Sequence, residues 1–514
     1  MNIALLLDLP ASIVPDQTIV RDDERTLTYA QLREGTARTA GLLAELGIGR
    51  GDRVGIFAVN SVAAIELLFA IAARGAVAVP MNFRARVPEV AHLTTDSGCR
   101  LIFADPRYAE LLKAARGDNV ERVILLDQEY ERLQRQAEPS NEISYEVEDS
   151  DLAVLVYTSG TTSMPKGVQL THGGLSSFAL ERGDVADGSD RGATLISVPL
   201  YHVAGLSALL LSIYAGRTVI LMEQFVAGEW LRRAARDRPT HAFLVPTMLS
   251  KLLAEPGFAD ADLSSLEAIS YGAAPMPLAT IQKAVSALPE AVEFSGAYGM
   301  SETTSTVTVL GPEDHRRHPG ESEADHRRRL SSVGRPIEGV EIEVRGESGP
   351  CAPGESGEVF VRTGRAMTGY WGKDAAAGKV VIDGGGWLRT GDIGYLDAEG
   401  YLFLVGRAGD MIIRGGENIA PDEVEARLYS HPAVADAGVA GIPDEEWGER
   451  VGAAVVLREG SGAELAEIED YCRELASFKR PEILLALDEL PRTSTGKLVR
   501  RELVGILEDS LQRH

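Results

Sequence analysis

A chain of 514 residues is longer than one hydrophobic core usually serves, so its length predicts two or more domains. Hydrophobic residues make up 45% and charged residues 25% of the chain, as in ordinary globular proteins. The formal net charge of -25 argues against nucleic acid or an anionic membrane as the main partner, because both require a basic face.

Cysteines and apolar runs narrow the class of protein further. Cys99, Cys351 and Cys472 lie far apart, and none belongs to a C-x-x-C pair. This spacing argues against a zinc site or a disulfide framework and fits a reducing cytoplasm. The longest apolar stretch, Val203 to Gly216, is too short for a transmembrane helix. We therefore expect a cytoplasmic protein without a membrane span, in which this stretch is a buried core segment.

Helical and strand patterns alternate in the first half of the chain. Helices are predicted to begin near Thr28 and Ser61. Strands are predicted at five apolar runs, which are Arg53 to Ala58, Ala76 to Pro80, Ala193 to Pro199, Arg217 to Met222 and Ala242 to Pro246. Continuous apolar strands between helices are typical of parallel sheets covered on both faces. The pattern therefore predicts an α/β fold.

The pattern changes near residue 333. Short strands and glycine-rich turns follow each other at Gly339 to Val344, Gly357 to Arg362 and Gly400 to Val405, and they predict a β-rich subdomain. The tail, with a helix predicted at Pro421 to Ser430, is long enough for a small domain. We place the boundary after Arg407. This predicts a large N-terminal domain of residues 1–407 and a small α+β C-terminal domain of residues 408–514.

The strongest local signal is a polar loop that follows a predicted strand. Its sequence is Tyr157-Thr158-Ser159-Gly160-Thr161-Thr162-Ser163-Met164-Pro165-Lys166-Gly167. Hydroxyl side chains and glycines can offer O–H and backbone N–H donors to phosphate oxygens, and Lys166 adds a positive charge. The loop is not a Walker A motif, because a proline precedes the lysine and no Gly-Lys-Ser/Thr follows. A merely polar surface loop is the alternative, and the complete string argues against it.

Four further motifs follow in order and complete a family resemblance. They are Tyr298-Gly299-Met300-Ser301-Glu302-Thr303, Thr390-Gly391-Asp392, Gly406-Arg407 with Gly415-Gly416-Glu417-Asn418, and Pro491-Arg492-Thr493-Ser494-Thr495-Gly496-Lys497. Together with the polar loop they resemble the adenylate-forming (AMP-binding) superfamily, which includes acyl-CoA synthetases, nonribosomal peptide adenylation domains and firefly luciferase. The resemblance implies ATP and Mg²⁺ as cofactors and an acyl-adenylate as the first product.

The resemblance also assigns residues to the ATP site. It implies phosphate contacts from Thr158, Ser159, Gly160, Thr161, Thr162 and Lys166. It implies that the adenine and acyl pockets are lined by Gly272, Ala273, Ala274, Tyr298, Gly299, Met300 and Ser301. It implies that Glu302 supplies the hard oxygen ligand that suits Mg²⁺, that Asp392 binds the ribose and that Arg407 reaches the ribose or the phosphate. Each has a plainer alternative: a solvated carboxylate for Glu302, a turn-forming Asp392 and a surface ion pair for Arg407.

Acid activation by ATP poses an electrostatic problem. A carboxylate is ionised at neutral pH, so its attack on phosphorus needs no general base. The difficulty is to bring two anions together, which calls for positioning and charge neutralisation. By resemblance, Lys497 bridges the carboxylate and the α-phosphate, with help from Lys166 and Mg²⁺. Otherwise Lys497 is an ordinary solvated lysine.

The second half-reaction passes the acyl group to a thiol. The resemblance implies that a mobile C-terminal domain rotates between the steps, withdraws Lys497 and presents Gly415 and Gly416 along a pantetheine tunnel. The family usually carries Asp or Lys at the position of Gly409. Glycine still permits the backbone rotation, but its presence puts the control of the two states in doubt.

The acceptor is predicted from two segments of the tail. Gly441-Ile442-Pro443-Asp444-Glu445-Glu446-Trp447-Gly448 and Phe478-Lys479-Arg480-Pro481 resemble the arylcarboxylate-CoA ligases, including 4-chlorobenzoate-CoA ligase. By resemblance, Trp447 lines the pantetheine path, while Phe478 and Arg480 sandwich the CoA adenine. Ordinary packing of the aromatic side chains is the alternative. We favour coenzyme A as the acceptor.

The sequence says least about the acyl group of the substrate. The segment Tyr201-His202-Val203-Ala204-Gly205 resembles the one whose histidine gates the acyl site in the family. Val203, Leu206 and Ala274 are candidates for an apolar lining, which suits an aromatic ring or a short alkyl chain. The run Thr303-Thr304-Ser305 either adds polar contacts or only hydrogen-bonds its own loop.

The sequence thus predicts an acid–thiol ligase, an AMP-forming acyl-CoA synthetase that acts on an aromatic or medium-chain carboxylic acid. Two alternatives stay open. One is a stand-alone adenylation enzyme that loads an acyl carrier protein, and the other is a catalytically silent nucleotide-binding protein. The expected partners are the acid, ATP and CoA, without nucleic acid, and a homodimer is one option for the assembly.

Overall fold

The computed structural model describes residues 1–23, 25–144, 146–158, 164–372, 384–415, 417–492 and 497–511. The chain forms two compact units. The first comprises Met1–Ala273, Leu288–Val307 and Thr363–Gly378, and the second comprises Ala274–Ala287, Thr308–Arg362 and Lys379–His514. The predicted boundary after residue 407 falls inside the second unit, and the division into domains of 1–407 and 408–514 stays a prediction.

Helices and strands alternate over the first 136 residues, as the sequence predicts. In chain order they are α1 (Leu5–Ile13), β1 (Thr18–Arg21), β2 (Thr26–Thr28), α2 (Tyr29–Glu45), β3 (Arg53–Phe57), α3 (Val62–Ala73), β4 (Val77–Pro80), α4 (Val87–Ser97), β5 (Leu101–Ala104), α5 (Ala109–Ala115), β6 (Arg122–Leu125) and α6 (Gln128–Gln136). Thr28 caps α2, because its hydroxyl accepts the Gln31 N–H while the Gln31 side chain accepts the Thr28 N–H. α3 is buried on nearly every face, as its apolar sequence requires.

The alternation continues to residue 310. The elements are β7 (Leu152–Thr158), β8 (Lys166–Thr171), α7 (His172–Arg182), β9 (Ala193–Ile196), α8 (Val203–Ala215), β10 (Thr218–Leu221), α9 (Ala227–Asp237), β11 (His241–Leu244), α10 (Pro246–Ala254), β12 (Ala268–Gly272), α11 (Leu278–Ala287), β13 (Glu293–Met300) and β14 (Ser305–Leu310). The apolar stretch that begins at Val203 is the buried helix α8, as predicted.

Two largely parallel sheets organise the first unit. One has the order β6-β5-β3-β4-β7-β8, and the other runs β14-β13-β12-β11-β9-β10-β1-β2. In the second of these, β9 is followed by its neighbour β10, and the chain then crosses back to β11 on the other side of β9. The strand order therefore reverses at β9, and such reversals place ligand sites at the carboxyl ends of parallel strands.

The second unit is richer in antiparallel strands. Its remaining elements are α12 (Pro312–His315), α13 (Glu323–Leu330), β15 (Arg335–Pro336), β16 (Val340–Gly346), β17 (Gly349–Pro350), β18 (Gly357–Thr363), β19 (Leu388–Leu396), β20 (Leu402–Arg407), β21 (Ile412–Arg414), β22 (Glu417–Ile419), α14 (Pro421–Tyr429), β23 (Val434–Asp444), β24 (Gly448–Leu457), α15 (Leu465–Tyr471), β25 (Ile483–Ala486) and α16 (Arg500–Leu511). One sheet has the order β17-β16-β18-β19-β20, and another has the order β22-β21-β24-β23 with β25 beside β24.

These elements confirm the predicted fold class. The parallel sheets covered by helices lie in the first unit, and the β-rich part and the α/β tail lie in the second. The tail has its own core, in which Val424 and Leu428 of α14 pack with Val439 of β23 and Val451 of β24. Throughout the described chain, every helix is too short or too polar to cross a bilayer.

Candidate active site

The segment that carries His202 lies where the strand order of the second sheet reverses, which we call its switch point. It follows the carboxyl end of β9, and His202 stands at the N-cap of α8. Gly205 allows the first turn of α8 to approach the preceding chain, because a Cβ there would lie 2.3 Å from the Pro199 carbonyl oxygen. Tyr201 packs its ring 4.2 Å from the His202 imidazole and edge-on to Phe83 at 5.2 Å. The half-buried His202 is therefore held between a helix start and an aromatic pair.

Asn60, which the sequence analysis missed, fixes the same segment. Its side-chain amide donates to the carbonyl oxygens of Val198 at 3.1 Å and Met222 at 3.0 Å, and its oxygen accepts the Leu200 N–H at 2.9 Å. Asn60 is buried and follows the carboxyl end of β3. One side chain thus joins the chain after β3 in one sheet to the chain after β9 and β10 in the other. Its position directly after a predicted strand was the available signal.

Gly272 is the last residue of β12, and Ala273 begins the loop that follows. A Cβ at Gly272 would lie 2.2 Å from the Ala297 carbonyl oxygen on β13. The glycine is therefore required by the neighbouring strand. Ala273 has a φ of +69°, which is unfavourable for a residue with a Cβ. Ala274 is half-buried and belongs to the second unit.

The predicted adenine motif lies at the end of β13. Tyr298, Met300 and Ser301 are half-buried, and Glu302 is buried in the 3-10 turn that follows. Gly299 brings this strand end close to the returning chain, because a Cβ there would lie 2.0 Å from the Ser305 carbonyl oxygen. The motif is therefore a tight turn at the carboxyl end of a parallel strand.

Two hydroxyls of the Thr303-Thr304-Ser305 run donate to backbone carbonyl oxygens. The Thr303 hydroxyl donates to the carbonyl oxygens of Met300 at 3.0 Å and Ser305 at 2.8 Å, and the Thr304 hydroxyl donates to the Arg365 carbonyl oxygen. Both threonines are buried. Of the two interpretations left open by the sequence, the Thr303 contacts favour the one in which the run stabilises its own loop, and Thr304 attaches that loop to the chain at Arg365.

The polar loop connects two paired strands. β7 ends at Thr158 and β8 begins at Lys166, and these two residues face each other in the antiparallel register. His92 hydrogen-bonds through Nε2 to the Pro165 carbonyl oxygen at 2.7 Å and so fixes the chain next to the lysine. The predicted phosphate-binding residues Ser159, Gly160, Thr161 and Thr162 lie outside the described residues.

Lys166 and Glu302 are linked by Tyr370, a residue that the sequence analysis did not single out. The Lys166 Nζ lies 5.2 Å from the centroid of the Tyr370 ring. The Tyr370 hydroxyl donates to Glu302 Oε1 at 2.7 Å. Two predicted ATP-site residues that are far apart in the sequence therefore share one aromatic partner. The flanking Gly369 and Trp371 were a signal for a tight aromatic turn.

In the second unit, the two predicted ribose residues are paired. Asp392 and Arg407 face each other on β19 and β20, and the Arg407 Nε donates to Asp392 Oδ1 at 2.9 Å. The Asp392 N–H donates to the Thr390 hydroxyl, which itself donates to the Val359 carbonyl oxygen. Asp392 is 6% exposed, while the Arg407 side chain is 45% exposed. The carboxylate is thus preorganised, and its cationic partner lies nearer to the solvent.

The predicted thiol-side residues Gly415 and Trp447 are in contact. The Gly415 N–H donates to the Trp447 carbonyl oxygen at 2.7 Å, and a Cβ at Gly415 would lie 3.0 Å from the indole. Gly415 also has a φ of +58°. Trp447 is 44% exposed, which leaves an indole face open to solvent. Gly416 lies outside the described residues.

Arg414 connects this contact to the predicted CoA-adenine residues. Its guanidinium lies 5.6 Å from the Trp447 ring, donates to the Phe478 carbonyl oxygen at 3.1 Å and pairs with Glu482. Arg480 donates to the carbonyl oxygens of Leu475 and Arg473. Arg480 therefore fixes the chain before it, and Arg414 is the residue that contacts both predicted CoA segments.

Lys497 follows a loop whose two ends are paired. Arg492 and Leu498 form an antiparallel bridge, and residues 493–496 between them lie outside the described residues. The Arg492 guanidinium donates to Asp436 and to the Tyr429 hydroxyl. Lys497 itself is exposed. Arg492 is thus held both by the bridge and by its side chain.

An ion cluster joins the helix after Lys497 to the chain after Gly409. Arg500 pairs with Asp410 at 3.3 Å and Asp422 at 2.8 Å, and it also pairs with Glu425. Burial, with Glu425 nearby, raises the pKa of Asp422 to about 7. A Cβ at Gly409 would meet no atom within 4 Å, so packing does not explain why glycine replaces the usual Asp or Lys.

The described residues fit an ATP site that contains magnesium. Among them, no group of three or more His, Cys, Asp or Glu side chains could hold a metal ion. Mg²⁺ in phosphate sites usually takes one or two carboxylates and completes its shell with phosphates and water. The buried Glu302 meets this requirement, because Tyr370 occupies Oε1 and no described residue hydrogen-bonds Oε2.

Comparison with known proteins gives the family. The model of the AMP-binding enzyme family matches residues 9–371, and that of the AMP-binding enzyme C-terminal domain matches residues 423–497. The chain belongs to the AMP-binding enzyme family. It is 37% identical to a feruloyl-CoA synthase of Amycolatopsis sp over 504 residues, which is 96% of each chain. It is 35% identical to the fatty acid–[acyl-carrier-protein] ligase ScoC of Streptomyces coeruleorubidus, over 95% of this chain and 93% of that one.

A solved structure agrees with these relatives. The o-succinylbenzoate CoA synthetase of Bacillus subtilis, in complex with its acyl-adenylate intermediate, superposes with a TM-score of 0.83 at 32% identity, over 97% of each chain. Another structure of that enzyme holds ATP and a magnesium ion. As a member of this family, the AMP-binding enzyme is an ATP-dependent acid–thiol ligase. Its cofactors are ATP and Mg²⁺.

Proposed function

We propose that this AMP-binding enzyme converts an aromatic carboxylic acid, ATP and CoA into acyl-CoA, AMP and pyrophosphate. The observation that carries the proposal is the connection of Lys166 to Glu302 through Tyr370. It joins a cation suited to phosphate and a carboxylate suited to magnesium within one folded unit. The relatives that are named as CoA synthases favour catalysis over nucleotide binding alone.

The two lysines supply the charge that acid activation requires. Lys166 holds the phosphates of ATP, and Lys497 neutralises the approaching carboxylate and the α-phosphate. Glu302 holds Mg²⁺, which when bound offsets the charge that builds up on the leaving pyrophosphate. Asp392 accepts hydrogen bonds from the ribose hydroxyls, and Arg407 steadies Asp392. No proton transfer is needed, because the substrate acid is already ionised.

The aromatic substrate is supported by two relatives and by the position of His202. The relatives named for feruloyl-CoA and o-succinylbenzoyl-CoA synthesis both act on acids that contain an aromatic ring. His202 lies at the switch point, between the apolar start of α8 and the Tyr201 and Phe83 rings. Flat aromatic acids suit such a lining, because rings pack well edge to face.

CoA is the proposed acceptor in the second half-reaction. The exposed Trp447 indole beside Gly415 offers an apolar contact for a pantetheine arm. A carrier protein also presents pantetheine, and ScoC makes that alternative specific. We include in the proposal a C-terminal domain of residues 408–514 that rotates near Gly409, and a cytoplasmic location. Whether the enzyme forms a homodimer stays open.

The experiment is a pyrophosphate-release screen over aromatic, alicyclic, short, medium and long carboxylic acids, with ATP and Mg²⁺. We expect release with aromatic acids and a stoichiometric yield of acyl-CoA and AMP only when CoA is added. The matched control omits CoA and adds a phosphopantetheinylated acyl carrier protein. Faster turnover with the carrier than with CoA would favour the alternative acceptor. No release with any acid would overturn the proposed function.

A further inference from the structure

Tyr370 lies between two side chains of opposite charge. Its ring faces the Lys166 ammonium at 5.2 Å, and its hydroxyl donates to the Glu302 carboxylate at 2.7 Å. Glu302 is 8% exposed, and Lys166 and Tyr370 are half-buried. Both charges are therefore partly shielded from water. Electrostatic attraction is stronger in such surroundings than at the exposed surface.

The chain around Tyr370 is bonded to both neighbours. The backbone of Tyr370 forms an antiparallel bridge with Val168, which lies on the strand that begins with Lys166. The Trp371 N–H donates to the Gly167 carbonyl oxygen at 2.8 Å. On the other side, the Met367 N–H donates to the Glu302 carbonyl oxygen at 2.8 Å. The segment 367–371 is thus attached to the lysine strand and to the glutamate turn. The tyrosine is held in place by backbone bonds on both sides.

The position of the ring has an electrostatic consequence. Oppositely charged side chains that share one neighbour can pair directly when that neighbour is removed, and each is then less available to a ligand. The tyrosine offers each charge a separate contact. Donation of its hydroxyl to a carboxylate enriches the ring in electrons, which strengthens the attraction of the ring for the ammonium.

We propose that Tyr370 is a positioning residue that keeps Lys166 and Glu302 apart and oriented for the phosphates and magnesium ion of ATP. This inference rests on the proposed function, in which both side chains contact MgATP. The hydroxyl occupies Oε1 of Glu302 and leaves Oε2 to the cation. The ring holds the ammonium by a contact that a phosphate displaces easily.

The test measures ATP affinity by calorimetry, with and without Mg²⁺ and without any acid. Y370F keeps the ring but removes the hydroxyl, so we expect a Kd for MgATP about tenfold higher and a Kd for magnesium-free ATP close to that of the wild type. Y370L removes both contacts and lets Lys166 and Glu302 pair, so both dissociation constants should rise about tenfold or more.

A double-mutant cycle tests whether Tyr370 acts as a spacer, which keeps Lys166 and Glu302 apart, or only supports the fold. If Glu302 sequesters Lys166 in Y370L, then adding E302Q should restore most of the affinity for magnesium-free ATP. The matched control is Y401F, since Tyr401 is buried and its hydroxyl also donates to a carboxylate, Asp314 Oδ1, at 2.6 Å in the second unit. Y401F should leave both dissociation constants unchanged.

Specific results would overturn the inference. Wild-type magnesium dependence in Y370F would refute the role of the hydroxyl, and no recovery with E302Q would refute the spacer. Acyl transfer to CoA from supplied acyl-adenylate should be spared in Y370F, and an equal loss in that step would indicate a general structural defect. Because ATP binding is measured without an acid, a wild type that binds MgATP but activates no acid would refute only the proposed function.

Discussion

Backbone strain coincides with the candidate site at the scale of single residues. Ala273, Thr304 and Ser305 have φ values of +69°, +51° and +96°, and among the described residues Arg238 is the only other non-glycine with positive φ. Such conformations cost about 1–3 kcal/mol each and persist only when the surroundings impose them. The hydrogen bonds of Thr303 and Thr304 do so at the turn after Glu302. The strain supports a ligand-binding role for these loops.

Trp447 provides a residue-scale prediction about the acceptor. W447A removes the exposed indole beside Gly415, so we expect the KM for CoA to rise about tenfold, as for the loss of one aromatic contact. The KM for ATP should change little. Steady-state kinetics of acyl-CoA formation with either substrate varied measures both, and W447F should recover most of the loss. An unchanged KM for CoA would remove the main reason to prefer CoA over a carrier protein.

At the scale of elements, the sequence could predict what depends on local pattern. Helical periodicity predicted α2, and continuous apolar runs of helix and strand length predicted α3 and the buried β3. The motif residues Lys166 and Glu302 were identifiable because their neighbours form long, specific strings. The roles of Asn60 and Tyr370 could not be identified in this way. The partners of Asn60 lie 138 to 162 residues away in the chain, and Glu302 lies 68 residues from Tyr370. Only the fold brings such partners together.

The start of α7 yields a prediction about acid stability. His172 is buried there and accepts the Ile3 N–H through Nδ1 at 3.1 Å. Burial, assisted by the N-terminal ammonium, lowers the pKa of His172 from 6.5 to about 4. A depressed pKa stabilises the fold fully above pH 6.5, and this contribution is lost as the pH falls through 4. The free energy of unfolding should fall over that window by at most about 3 kcal/mol from this group.

The measurement is urea unfolding of H172N between pH 7.5 and pH 4. Asparagine offers an oxygen near the position of Nδ1 but does not titrate, so the unfolding free energy of H172N should fall less steeply with acid than that of the wild type. H318N, at an exposed histidine, is the control and should follow the wild-type curve. Equal slopes for H172N and the wild type would contradict the assignment.

At the scale of the whole molecule, the candidate residues are shared between two folded units. The first carries Lys166, His202 and Glu302, whereas the second carries Trp447 and Lys497. The two half-reactions also differ in charge. Adenylation brings two anions together, whereas acyl transfer starts from an acyl-adenylate in which the carboxylate charge is gone. A cation needed for the first step need not serve the second.

Lys497 tests this separation of the half-reactions. K497A should slow pyrophosphate release by about 10²–10³-fold, because one charge stabilising the transition state is lost. Acyl-CoA formation from supplied acyl-adenylate should stay within a few-fold of the wild type. K251A removes an exposed lysine from α10 and controls for the loss of one positive charge on a protein of net charge -25. An equal loss in both half-reactions of K497A would show that one arrangement of the lysine serves both steps, and the proposed rotation near Gly409 would then be unnecessary.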